Sequence, residues 1–454
     1  MSLYEQLQER QSTGLPIRVG LIGAGKFGSM FLSQVRRTPG MHLMGVADLS
    51  PDRARASLRR VDWPDEQFSA SSFADALKSG KTHIVDDAEA LIAADGLDVV
   101  VDATGHPGAG IRHAQLSVRH GRHIIMVNVE ADVLAGPLLA RQARDAGLHY
   151  SMAYGDQPAL IAEMVDWARA SGFEVICAGK GTKYLPDYHT STPDTVWSYY
   201  GFTEEQLATG DFNAQMFNSF LDGTKSAIEM AAVANATGLQ APSAGLSFPA
   251  CGVDDMPTLL RPEADGGMLE HKGTVEVISS LERDGRPVFK DLRWGVYAVF
   301  EAPSDYVKQC FAQYGMKTDD TGRYGAMYKP YHLIGLELGI SVANIMLRGE
   351  STGSIRGFSG DAVSTAKRDL KAGEVLDGEG GFMVYGKLMP AADSLRHGGL
   401  PIGLAHGAKL KHDVNAGQPV SWNDVDIDLD QQAVKVRREM EAMFADKPAE
   451  AASA

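Results

Sequence analysis

Apolar positions in the first 178 residues fall in short continuous runs separated by stretches of helical period. Runs at 18–22, 43–47, 98–103, 123–127, 149–152 and 173–177 read as strands buried on both faces. Between them, 107–120 and 136–146 read as helices. Such alternation predicts a parallel, doubly wound sheet. Residues 58–81 break the rhythm and read as an insertion. Beyond Cys177 the pattern changes. Residues 179–210 are rich in Gly, Thr, Pro and Tyr and read as loop, and a helical run follows over 213–236, interrupted at Asp222-Gly223. Short strands and Gly/Pro turns mix over 240–330. A helix is predicted over 332–347, with Leu333, Leu336, Ile340 and Leu347 on one face.

The last hundred residues repeat themselves. The pattern Lys-x-Asp-apolar-x-Ala-Gly at 367–373 recurs at 411–417, which predicts two related halves of a small β domain. A charged helix over 430–444 and an Ala/Glu-rich tail follow. A chain of 454 residues exceeds one small core. The expected division is a Rossmann-type α/β domain over 1–178, an α+β substrate and dimerisation domain over 179–352, and a small β domain over 353–454.

Composition narrows the function. A hydrophobic content of 44% with 22% charge is that of an ordinary globular protein. The net charge of −15 speaks against nucleic acid or an anionic membrane as partner. An anionic substrate would therefore need a local cationic pocket. No apolar stretch approaches the ~20 residues that span a bilayer. Residues 1–11 are charged, without a signal core. Cys177, Cys251 and Cys310 form neither a metal spacing nor a disulfide framework. A cytoplasmic protein is expected.

The sharpest chemical signal is Gly23-Ala24-Gly25-Lys26-Phe27-Gly28, which joins the first strand to a helix. Gly23 suits the tight turn, Gly25 lets backbone approach a pyrophosphate, and Gly28 lets the helix pack closely, with Lys26 and Phe27 at the helix start. Asp48 ends the second strand twenty residues after Gly28, where an acid meets ribose hydroxyls. At ~4 Å and an effective dielectric near 20, its charge would repel a 2′-phosphate by about 4 kcal/mol, which predicts NAD over NADP. Arg53 and Arg55 would soften that preference.

Thr104 and Gly105 end one strand, and Asn128 and Glu130 follow another. These are candidates for the nicotinamide half, because ligands lie beyond the carboxyl ends of such strands. Lys180 and Lys183, bracketed by Gly179 and Gly181, read as a strand-end loop able to clamp an anion or polarise a carbonyl. Asp222, Lys225 and Glu229 share a face of one helix start, where a lysine between carboxylates could handle protons. The same two carboxylates form a weak set for a divalent metal. His332 is expected to open the last large helix, facing the sheet. Asp156 reads as a helix cap, and His397, His406 and His412 as turn residues.

Several motifs carry a family likeness: Pro-Ile-Arg-Val-Gly-Leu-Ile-Gly-Ala-Gly at 16–25, Asp-Ala-Thr-Gly at 102–105, Asn-Val-Glu-Ala-Asp-Val at 128–133, Ala-Gly-Lys-Gly at 178–181, Glu-Met-Ala-Ala-Val-Ala-Asn-Ala-Thr-Gly-Leu at 229–239 and Pro-Tyr-His-Leu at 330–333. In these the chain resembles the 1-deoxy-D-xylulose 5-phosphate reductoisomerase-like proteins. Their nucleotide domain is akin to that of homoserine dehydrogenase, and they end in a SAF-type β-clip domain. The resemblance implies catalytic roles for Lys180, Lys183, Asp222, Lys225, Glu229 and His332, and NADPH as coenzyme. Asp48 departs from that pattern. The main expectation is thus an NAD-dependent oxidoreductase, NADP being possible, acting as a homo-oligomer on a small polyhydroxylated substrate such as a sugar acid or polyol derivative. The alternatives are an NADPH- and metal-dependent reductoisomerase and a non-catalytic NAD-binding sensor.

Overall fold

The computed structural model describes residues 1–209 and 213–445, so the expected Ala/Glu tail lies outside the described residues. The chain divides into two compact units: Met1–Leu160 with His332–Arg356, and Ile161–Tyr331 with the residues from Gly357 onward. Among the described residues no helix is long and apolar enough to cross a membrane.

The first unit is built on a parallel sheet of β1 (Ile17–Ile22), β2 (Met41–Ala47), β3 (His83–Val85), β4 (Val99–Asp102), β5 (His123–Met126) and β6 (Tyr150–Met152). Their order is β3-β2-β1-β4-β5-β6, a doubly wound arrangement whose direction reverses between β1 and β4. The strands are apolar throughout because helices cover both faces. Three readings change here. The expected insertion is the β2–β3 crossover, with helices Pro51–Arg60 and Phe73–Ser79 leading into β3. The helix expected from residue 136 is Val129–Asp145 and carries Pro137 inside it. The helix expected from residue 332 is Gly339–Arg348; Gly335, at φ +78°, breaks the earlier turns. That helix buries Val342, Ala343 and Ile345 in the core of the first sheet.

The second unit holds a mixed sheet of β7 (Glu174–Thr182), β8 (Thr274–Ser279), β9 (Val296–Glu301) and β10 (Tyr324–Lys329), ordered β10-β9-β7-β8. The run at 173–177, expected in the first sheet, is the start of β7. It pairs parallel with β8 and antiparallel with β9. The helices Ala214–Leu221 and Thr224–Thr237 break at Asp222-Gly223, as the pattern predicts. Nearly every position of Thr224–Thr237 is buried, including Ala227, Ala231, Ala232, Ala234 and Ala236, so it is covered all round.

The C-terminal region of this unit centres on the antiparallel pair β11 (Gly360–Ala366) and β12 (Val384–Pro390), which packs on Thr224–Thr237. Gly386 N–H donates to Thr224 Oγ1 at 2.8 Å, and Asn235 Nδ2 to the Gly360 carbonyl at 3.0 Å. The repeat has a physical meaning. Leu370 and Val414 exchange backbone hydrogen bonds of 2.8 and 3.0 Å. Asp413 of the second copy accepts from Ala372 N–H at 2.9 Å, and Asp369 of the first accepts from Ala416 N–H at 2.9 Å. Each copy caps the turn of the other. The closing helix, Gln432–Phe444, is anchored by fully buried Arg437, which pairs with Asp361 and Glu441.

Candidate active site

The glycine turn forms a cradle that fits a dinucleotide. Gly23 sits at φ +92°, and a Cβ there would lie 2.8 Å from the Ala103 carbonyl oxygen. A Cβ on Gly28 would lie 2.2 Å from the Gly23 carbonyl oxygen, so only glycine lets the helix Lys26–Val35 come this near β1. Gly25, the cap of that helix, faces open space. The free N–H groups of a helix start beside an open glycine suit a pyrophosphate, and Lys26 is exposed there. Gly23 and Thr104 follow β1 and β4, the strands flanking the reversal, which is where ligands bind in such sheets.

Asp48 is 4% exposed and serves the cradle itself. Its Oδ2 accepts from Ala24 N–H at 2.9 Å and its Oδ1 from Ser50 N–H at 2.9 Å. Arg53 closes over both oxygens at 2.8 and 3.0 Å. Burial pushes the carboxyl up, but the Ser50 and Ala24 N–H groups and Arg53 outweigh it and hold the carboxyl below its usual range. The repulsion expected of Asp48 toward a 2′-phosphate is thereby offset, because the Arg53 guanidinium lies on the acid.

The strand-end candidates form one network. Buried Asp102 accepts from Thr104 N–H at 2.9 Å and Thr104 Oγ1 at 2.7 Å, and lies 2.7 Å from His113 Nδ1. Asn128 donates to Thr104 Oγ1 and to the His106 carbonyl, while its Oδ1 caps the helix Val129–Asp145 through Ala131 N–H. Asn128 and Glu130 are buried; Gly105 is exposed. Asp132, missed by the sequence reading, is fully buried and accepts from Tyr150 Oη; burial pushes its carboxyl well above the usual range. His332 is half-buried and belongs to this first unit, ahead of the helix it was expected to open.

The lysines lie in the second unit. Lys180 is not on a loop but inside β7. A Cβ on Gly179 or Gly181 would lie 1.8 Å or 1.9 Å from the carbonyl oxygens of Glu276 and Leu292, so these glycines admit neighbouring backbone rather than make a turn. Lys180 is buried and ion-paired with Glu229 on the helix Thr224–Thr237. Asp222, expected beside Lys225, instead accepts from Thr224 N–H at 2.9 Å and lies 2.8 Å from Nζ of Lys367, the first residue of the C-terminal repeat. Lys367 also donates to the carbonyls of Ser191 and Gly381. Lys225 pairs with Glu379 at 4.0 Å. One helix start thus gathers three ammonium–carboxylate pairs, and two of the partners, Lys367 and Glu379, come from the C-terminal region. A divalent metal does not fit Asp222 and Glu229, whose charge the lysines already balance. Among the described residues no three His, Cys, Asp or Glu side chains converge.

An aromatic group missed in the sequence surrounds that helix start. His189 Nδ1 lies 2.7 Å from the Asp222 carbonyl, which can only accept, so Nδ1 carries the proton and Nε2 accepts from Tyr184 Oη at 3.0 Å. Burial pushes the His189 imidazole below its ordinary value. Tyr184 stacks on Phe248 with centroids 4.0 Å apart, and His189 on Tyr385 at 4.7 Å. Phe248 adopts φ +50°, a conformation bulky residues avoid. It is held by Glu276, whose buried carboxylate accepts from the N–H groups of Ser247 and Phe248.

Lys183 follows β7 and donates to the Tyr199 carbonyl, its Nζ 5.7 Å from the Tyr200 ring centre. The backbone of Arg293 runs against Gly181, 3.0 Å from where a Cβ would stand. Burial, and then the charge of Arg293, push the Lys183 ammonium below its usual range. Among the described residues neither Lys183 nor Arg293 makes an ion pair with a carboxylate. Tyr200 feels the charges of both Arg293 and Asp222.

Three family models divide the chain. Residues 23–152 match the homoserine dehydrogenase NAD-binding domain, 155–338 the catalytic domain of oxidoreductase DRL, and 362–426 the SAF domain. An oxidoreductase catalytic domain lies between an NAD-binding domain and a SAF domain. No curated protein matches the chain. Similar solved structures include an oxidoreductase from Agrobacterium radiobacter in complex with NAD+, L-tartaric acid and magnesium, at 16% identity and a TM-score of 0.25, covering 37% of this chain and 44% of that one. A probable dehydrogenase from Thermotoga maritima shows 14% identity and a TM-score of 0.37, over 74% of this chain and 90% of that one. A scyllo-inositol dehydrogenase from Lactobacillus casei, with bound NAD(H) and scyllo-inositol, shows 10% identity and a TM-score of 0.38, over 75% and 92%. Identities this low do not carry those proteins' ligands across.

Proposed function

We propose that the protein transfers a hydride between a nicotinamide coenzyme and a carbinol or carbonyl carbon of a small polyhydroxylated acid. Half-buried Lys183 and Arg293, cations without a carboxylate partner among the described residues, carry this reading. On a chain of net charge −15 they are a local exception, suited to the acid group of a substrate. The bound coenzyme supplies or takes up the hydride. In the oxidative direction the substrate's C–H bond gives up its electron pair with the hydride, the C=O bond forms, and the hydroxyl proton passes to a lysine amine. Lys225 suits that role better than Lys180, because its side chain is 17% exposed against 5%. Asp222 and Glu229 hold Lys367 and Lys180, and so fix the helix that presents Lys225.

The coenzyme is NAD, with NADP accepted, since Arg53 covers the Asp48 charge. That contact also supports a second reading, an NADPH-dependent reductoisomerase-like reaction. The lysine-bound carboxylates speak against its metal. The buried, free cysteines Cys177 and Cys251 accord with a reducing cytoplasm.

Calorimetric titration with NAD and NADP, then a screen of sugar acids and polyols at the reduced-nicotinamide absorbance band, tests the proposal. Turnover confined to polyhydroxy acids is expected. If neither nucleotide binds at millimolar concentration, the redox reading falls. Unchanged turnover in Lys225→Ala removes the proton role.

A further inference from the structure

The C-terminal region enters the lysine–carboxylate cluster a second time, through segment 377–381. Gln215 Nε2 donates to the Glu379 carbonyl at 2.8 Å, and Asn218 Nδ2 to the Gly380 carbonyl at 2.9 Å. A Cβ on Gly380 would lie 2.1 Å from the Gln215 carbonyl oxygen, so segment and helix touch backbone to backbone. Asp377 folds back to accept from the N–H groups of Phe382 and Met383, which closes the segment into a loop. The docked loop sends Glu379 to Lys225, 4.0 Å from Oε1 to Nζ. Their side chains are 25% and 17% exposed, whereas those of Asp222 and Lys367 are 0% and 2% and those of Lys180 and Glu229 are 5% and 9%. Of the three pairs, this is the one most open to solvent.

We propose that Glu379 is a positioning residue for Lys225: the C-terminal domain supplies the carboxylate that orients this ammonium and governs its release of a proton. The inference rests on the oxidoreductase reading for the use made of that proton, but not for the pairing itself. A partly exposed pair at this distance contributes little to stability, so its role lies in reactivity. The groups facing Glu379 are Lys225, Asp222 and Glu229, the latter two bound to Lys367 and Lys180, with Ser219 as a hydrogen-bond partner from the preceding helix. Burial pushes the Glu379 carboxyl up, Lys225 and Ser219 pull it back only in part, and the charges of Asp222 and Glu229 add to the rise, so it stands above its usual range.

The test compares the full chain with Glu379→Gln. Each is treated with an amine-acylating reagent over about pH 7 to 11, which brackets the ordinary lysine range, and labelling of Lys225 is followed by mass spectrometry. Loss of the carboxylate should raise the labelling of Lys225 at fixed pH about threefold, the size a partly exposed pair allows. Glu379→Asp should return most of the shift. An unchanged Lys225 profile in Glu379→Gln overturns the proposal. If that variant does not fold, Glu379→Ser removes the same carboxylate and gives the same comparison, and an unchanged profile there is equally fatal. With a polyhydroxy acid that the wild type oxidises, Glu379→Gln should move the rising limb of the kcat–pH profile to lower pH, lower its high-pH plateau about tenfold because the amine is no longer oriented, and leave the KM for coenzyme unchanged. A labelling shift in a protein that turns over no such acid would retain the pairing and discard the oxidoreductase reading. Turnover with no labelling shift would do the reverse.

Discussion

Asp48 in the first unit and Asp222 in the second are both carboxylates removed from water, but they are compensated differently. Asp48 is held by backbone N–H groups of its own loop and by Arg53, whose side chain is 61% exposed. Asp222 faces Lys367, with both side chains buried. The first arrangement leaves a cation at the surface, where a ligand can use it. The second is closed, and its function is to fix the helix Thr224–Thr237. Reactivity is therefore expected at the edges of the charged cluster rather than at its most buried pair.

Breaking the closed pair should have the largest effect. Lys367→Met would leave Asp222 buried without its cation, at a cost of about 3–5 kcal/mol in chemical unfolding. Adding Asp222→Asn should recover much of that. A wild-type midpoint for Lys367→Met would erase the distinction between the two carboxylates.

The cradle can be tested by two glycines that differ only in their surroundings. Gly28→Ala forces a Cβ against the Gly23 carbonyl and should cost about 1–3 kcal/mol of stability along with coenzyme binding. Gly25→Ala meets open space, so stability should stay within about 0.5 kcal/mol, while calorimetry should show coenzyme affinity falling. Equal effects on folding would mean that Gly25 is structural. Arg53→Ala bares the Asp48 charge and should weaken NADP about tenfold relative to NAD, roughly 1.4 kcal/mol, in a competition assay.

The smallest effect concerns pH. Burial holds the His189 ring neutral in the fold, so the unfolded chain takes up its proton first as pH falls through about 6.5. The unfolded state then binds more protons, and stability should decline below that pH until the ring titrates in the fold, by at most about 1.4 kcal/mol per unit. His189→Gln should flatten that slope in unfolding curves taken on either side. An identical slope would assign it to the other depressed histidines, His42 and His123.

The cradle was legible because its parts are local: three glycines in six residues and an acid at the next strand end. Strand β3, only three residues long, offers no period to detect. Lys180 was misplaced because Gly-Lys-Gly looks like a turn when the carbonyls that require those glycines belong to other segments. Lys367, Glu379 and Tyr385 meet the helix start from far along the chain, and no spacing rule joins them. The repeat was visible as a pattern, but its meaning, each aspartate capping the other copy, exists only once the chain has folded.

Lys367 has a consequence for inheritance. Because Lys367 neutralises a buried acid at the start of the helix Thr224–Thr237, a gene that lost or exchanged the C-terminal region alone would leave position 222 a buried acid without its cation. Shortened chains ending before the repeat should be cleared by cellular proteases rather than survive as smaller enzymes.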